Sequence, residues 1–138
     1  MEKINKVVFI DDDEAATDFH KYIVDKMQFA EEALFFTQEE EALKYLQNIE
    51  NKYDFPDLIF VDINMPKMNG HEFVSEVMDI PVFNQQRTII VHLTSSTNIE
   101  DIKKSLVNEV ERYYQKPLSK QIISDILKKD LNIDFPAN

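Results

Sequence analysis

The 138-residue chain has no cysteine, which removes disulfide frameworks, thiolate zinc sites and thiol nucleophiles together. It has a single glycine, Gly70, so no glycine-rich loop is available to cradle the phosphates of a nucleotide. Basic residues are scarce: 15 Lys and Arg stand against 26 Asp and Glu, a formal charge of −11. That balance argues against recognition of nucleic acid through its phosphates. Long apolar runs are also missing, since no window approaches the ~20 residues of a membrane span. Met1 to Asn5 leads into a short strand without the apolar stretch of a signal peptide. A cytoplasmic protein that contacts neither nucleic acid nor membrane is expected.

What the chain does contain is enough apolar material for a core: 43% hydrophobic residues, with ten Phe and five Tyr. A chain of this size buries roughly two thirds of its unfolded surface as one domain. Short apolar runs alternate with segments of helical period, which is the pattern of a doubly wound α/β domain. The strands are expected at Lys6 to Ile10, Ala33 to Phe36, Leu58 to Val61, Thr88 to Leu93 and Tyr113 to Gln115. Their near-continuous apolarity suits strands covered on both faces.

Five stripes at steps of three and four mark the helices: Ala16, Phe19, Ile23 and Met27; Ala42, Leu46 and Ile49; Phe73, Val74, Val77 and Met78; Ile99, Ile102 and Leu106; Ile122, Ile123, Ile126 and Leu127. Right-handed crossovers then favour a flavodoxin-like five-stranded parallel sheet of order 2-1-3-4-5, with its switch point between the first and third strands. The expectation is one domain over 1–138, with a core at about 6–129 and a short tail at 130–138. Asn51 to Pro56 and Asp79 to Arg87 read as loops.

Chemistry gathers at the strand ends. The first strand runs into Asp11-Asp12-Asp13, the third into Asp62, the fourth into Thr94-Ser95-Ser96 and the fifth into Lys116-Pro117. In an open parallel sheet these carboxyl edges share one side, where ligands bind. One acid of the triplet can serve as a helix cap and the others can favour the helix dipole. Three acids beside a fourth would repel one another unless a cation neutralises them. All-oxygen ligation with waters retained suits Mg²⁺. Asp62 can be a further ligand, or can attack phosphorus and form an acyl phosphate, with Lys116 and Thr94 stabilising the phosphoryl oxygens.

Four stretches, VVFIDDD, DLIFVDINMPKMNG, IIVHLTSS and YYQKPL, make the chain resemble a receiver domain of two-component response regulators from Lys6 to about Lys129. The resemblance implies that Asp62 is the phosphoacceptor, with Asp12 and the backbone carbonyl of Asn64 as further Mg²⁺ ligands. Asp11 would act through bound water, and Asp13 would be a cap. It implies that Thr94 and Lys116 contact the acyl phosphate, that Tyr113 is a rotating switch aromatic, and that Asn64 and Ser96 tune the access of water.

The donor would be a sensor histidine kinase or a histidine phosphotransfer protein. The output would be an unidentified protein target, through a surface of the fourth helix, fifth strand and fifth helix that can also support a phosphorylation-dependent dimer. Nothing follows the fifth helix, so a stand-alone regulator is expected. It would catalyse only its own phosphorylation and dephosphorylation. The charged run Asn108 to Arg112 departs from the small residues common in that family.

Three rival readings differ in chemistry. A haloacid-dehalogenase-like phosphatase would use an Asp-x-Asp pair within Asp11 to Asp13, but it leaves DINMPKMNG unexplained and needs a further acid pair. A receiver fold that binds without phosphorylation sits poorly with an intact site. A Ser-His-Asp hydrolase lacks a strained nucleophile turn, and His20, His71 and His92 read as structural or solvent-exposed.

Overall fold

The computed structural model describes residues 2–63, 68, 70–95 and 111–137. Five strands form one parallel sheet in the order β2-β1-β3-β4-β5, as expected from the alternation of apolar runs and helical stripes. They are β1 (Ile4–Ile10), β2 (Ala30–Phe36), β3 (Leu58–Asp62), β4 (Ile89–Thr94) and β5 (Glu111–Gln115). The described helices are α1 (Glu14–Met27), α2 (Glu39–Gln47), α3 (Gly70–Met78) and α4 (Lys120–Leu131), with a 3₁₀ turn at Lys52–Asp54. The expected helix with Ile99, Ile102 and Leu106 lies outside the described residues, as do Asn64 and Ser96.

Side chains alternate across the sheet and so divide the core in two. Val7, Phe9, Leu58, Phe60, Val91 and Leu93 face α1 and α4, where Ile23, Met27, Ile123, Ile126 and Leu127 are buried with them. Val8, Ile10, Ile59, Val61 and Ile90 face α2 and α3, against Ala42, Leu43, Leu46, Phe73, Val74 and Val77. β3 lies mid-sheet and every one of its residues is buried, which is why LIFVD shows no polar alternation.

Several expected bounds and faces require correction: β1 starts at Ile4 rather than Lys6, and β2 at Ala30 rather than Ala33. The buried face of α1 is Thr17, His20, Ile23 and Met27, whereas Phe19 is 43% exposed. His20 is therefore a core residue, its ring stacked 5.1 Å from Phe9, which in turn stacks on Phe35 and Phe60. The tail begins later than 130, because α4 continues to Leu131. It is also anchored: Phe135 is buried against the α1/α4 core and its carbonyl accepts a 2.6 Å hydrogen bond from Ser124 Oγ. Strand β5 starts two residues early, at Glu111, for a reason that belongs to the site.

Candidate functional site at the carboxyl edge

Backbone hydrogen bonds continue the ladder just past the strand ends and so fix the residues that carry chemistry. Asp11 N donates to the Phe36 carbonyl at 3.0 Å, Ile63 N to Leu93 at 3.1 Å, and Lys116 N to Thr94 at 2.7 Å. Asp11, Asp62, Thr94 and Lys116 are thereby brought to one edge, although they come from β1, β3, β4 and β5. The peptide between Lys116 and Pro117 is cis.

The Lys116 ammonium lies 3.2 Å from Asp62 Oδ2 and 3.3 Å from Asp11 Oδ2. Burial works against its charge, but the two carboxylates outweigh that penalty and hold its pKa above the ordinary lysine value. One carboxylate oxygen from each of Asp11, Asp12 and Asp62 falls within 4.8 Å of the others. Asp11 and Asp62 are buried and Asp12 is exposed, so the cluster opens to solvent at Asp12. Asp62 itself is buried, with 7% exposure.

Asp13 separates from this group. Its side chain accepts a 3.0 Å hydrogen bond from Ala15 N and caps α1, while its own N–H donates to Asp11 Oδ1 at 3.0 Å and orients that carboxylate. The cap expected within the acidic triplet is therefore Asp13, which leaves Asp11 and Asp12 beside Asp62. Thr17 ties the same turn down, its hydroxyl 3.1 Å from the Asp13 carbonyl.

The donor set fits Mg²⁺. Asp11 Oδ2 is buried without an aligned hydrogen bond, its nearby compensation being the Lys116 ion pair. An all-oxygen cluster with one solvent-facing member matches a hard cation that keeps several waters.

Behind β4 lies a second polar group that the sequence did not reveal. His92 is fully buried and its Nε2 is 2.8 Å from Glu111 Oε1. Tyr113, in register with His92 across β4 and β5, stacks on it with ring centroids 4.6 Å apart. The Tyr113 hydroxyl reaches the His71 ring, 3.0 Å from Nε2 and 3.2 Å from Nδ1. Burial, with the Glu111 carboxylate adding to it, pushes the Tyr113 phenol up to about 12, so it stays neutral. Tyr114 takes the opposite face and packs against the α1/α4 core. Glu111 thus enters β5 because a histidine 19 residues earlier receives it.

Residues 7–128 match the family model of the response regulator receiver domain. A two-component response regulator from Cytophaga hutchinsonii is 28% identical and superposes with a TM-score of 0.83, covering 96% of this chain and 100% of that one. A response regulator receiver protein from Dyadobacter fermentans, 22% identical, has the same fold at a TM-score of 0.76 over 90% of this chain and 95% of that one. The sensor histidine kinase CheAY of Helicobacter pylori is 32% identical over 93 residues, 67% of this chain but 11% of the kinase. Two other curated relatives are matched over 50% and 53% of their lengths, so the chain spans about half or less of these proteins. With its fold, its acidic edge and its sequence in agreement, the chain belongs to the response regulator receiver domain family, the phosphoacceptor module of two-component signalling.

Proposed function

We propose that Asp62 accepts a phosphoryl group from the phosphohistidine of a sensor histidine kinase or a histidine phosphotransfer protein. The observation that carries this reading is the meeting of Asp62 with Asp11, Asp12 and the Lys116 ammonium at the carboxyl edge. A carboxylate oxygen of Asp62 forms the new bond to phosphorus while the phosphorus–nitrogen bond to the donor imidazole breaks, leaving an acyl phosphate. Lys116 neutralises the equatorial oxygens, and Thr94, at the end of β4, offers its hydroxyl to them.

Asp11, Asp12 and Asp62, with the Asn64 carbonyl, would hold Mg²⁺, which when bound screens the negative charge shared by carboxylate and phosphate. Attack of water on phosphorus breaks the acyl phosphate, releases inorganic phosphate and returns the carboxylate, so the domain catalyses its own phosphorylation and dephosphorylation and no other reaction. Asn64 and Ser96, both outside the described residues, would tune that step.

Recruitment of Lys116 and Thr94 to the new dianion would bias Tyr113, which sits two positions before the Thr94–Gln115 pair, and with it a surface that includes β5 and α4. That surface would bind a protein target, or a second copy of the chain in a phosphorylation-dependent dimer. The whole described chain acts in this reading as one receiver unit in the cytoplasm. No helix among the described residues is long and apolar enough to cross a membrane.

The test is incubation with a small phosphodonor and Mg²⁺, read by intact mass. A phosphate-sized gain is expected, and an unchanged yield in Asp62→Asn would exclude this acceptor.

A further inference from the structure

The polar cluster beneath Tyr113 has donors unlike those of the acidic pocket. A ring nitrogen of His71, a ring nitrogen of His92 and a carboxylate oxygen of Glu111 all lie within 4.8 Å of one another. The three come from the first turn of α3, the middle of β4 and the start of β5. His92 is fully buried; its Nε2 faces Glu111, and its Nδ1, on the Gly70 side of the ring, has no hydrogen-bond partner among the described residues. The ring therefore has polar capacity that the fold does not use, at a depth where an unsatisfied nitrogen costs free energy. His71 is exposed and Glu111 is buried, so the cluster has one face to solvent and a buried carboxylate behind it.

We infer that His71, His92 and Glu111 form a binding site for a divalent transition-metal ion of the zinc class. Two imidazoles and one carboxylate form a borderline-soft set that zinc accepts, with a fourth position left to water, whereas Mg²⁺ prefers oxygen alone. The two candidate sites of this protein are thus separated by donor chemistry. Hydrogen bonds hold these groups together in the absence of an ion, Glu111 through its 2.8 Å contact to His92 Nε2 and His71 through the Tyr113 hydroxyl, and an ion would replace the proton shared by His92 and Glu111. Small movements of these side chains would open the shared centre to an ion.

Occupancy would tie α3 to β4 and β5 around the Tyr113 ring. A consequence for switching rests on the proposed role of Tyr113, but binding itself does not.

The experiment is calorimetric titration of the full chain with Zn²⁺ in excess Mg²⁺. One equivalent should bind. His71→Ala, at an exposed position, and Glu111→Gln, which keeps the shape of the side chain, should each weaken binding on the order of tenfold or more. Asp62→Asn should leave it unchanged, with circular dichroism verifying that all variants are folded. The absence of a saturable site, or a site lost in Asp62→Asn and retained in His71→Ala, would overturn the inference. Because phosphorylation is measured separately, failure here leaves the reading of Asp62 standing, and failure there leaves this one.

Discussion

At the scale of single residues, Lys116 decides whether the pocket is tolerable. Two buried carboxylates lie 3.2 and 3.3 Å from its ammonium, and its charge is the protein's own counterweight to them. Lys116→Met should slow phosphorylation by roughly two orders of magnitude, the usual loss for one preorganised donor at a developing charge. The initial rate of mass gain at saturating Mg²⁺ checks this.

His20 works in the opposite sense. Burial first, and then the Lys116 ammonium, depress its pKa from 6.5 to about 4, with Asp62 pulling weakly the other way. The unfolded chain takes up this proton below pH 6.5, whereas the folded chain waits until about pH 4. Stability is therefore independent of this group above its unfolded pKa and is lost as the pH falls from 6.5 towards 4. At about pH 5 the loss amounts to roughly 2 kcal/mol. His20→Leu should show a smaller difference than the wild type between urea midpoints at about pH 7.5 and pH 5; an identical pH dependence would contradict the assignment.

At the scale of elements, the helices meet the sheet with little slack. An ideal Cβ on Gly70 would lie 2.8 Å from His92 Nδ1 and 3.2 Å from the Ile63 Cα, so the absence of a side chain there sets how closely α3 approaches β4. Gly70→Ala forces a buried ring or the backbone to shift and should destabilise the domain by about 1–3 kcal/mol, measured by denaturant unfolding.

Strand ends and the faces of α2, α3 and α4 were legible in the sequence because each follows from local apolar pattern, and the strand order because right-handed crossovers leave few topologies. The phase of α1 was not. Hydrophobicity favours Phe19 over Thr17 and His20, yet Thr17 bonds the Asp13 carbonyl and His20 extends the aromatic stack of Phe9, and both reasons are tertiary. The start of β5 was hidden in the same way. Glu111 and Arg112 read as solvated charge, but their partners are His92 and Asp130, at 2.8 Å each and 19 and 18 residues away. No local window contains such pairs.

At the scale of the whole molecule, the sheet converts distance in sequence into proximity. β1 lies between β2 and β3, so the chain reverses its direction of winding there, and the crevice at the carboxyl edge opens beside Asp11 and Asp62. The acidic pocket was legible for that reason: in the order 2-1-3-4-5 the carboxyl ends of β1 and β3 are neighbours, with those of β4 and β5 beyond them. The His71, His92 and Glu111 group was not, because it depends on which face of β5 each side chain takes, and that is set by register with β4.

One atom decides the proposed function, the Asp62 carboxylate oxygen that is to carry phosphorus. The direct measurement is borohydride reduction of the phosphorylated chain, which converts an aspartyl phosphate to homoserine, followed by peptide sequencing in the mass spectrometer. Homoserine at position 62 is the predicted result. Homoserine at position 11, 12 or 13 instead, or at none of them, would contradict it.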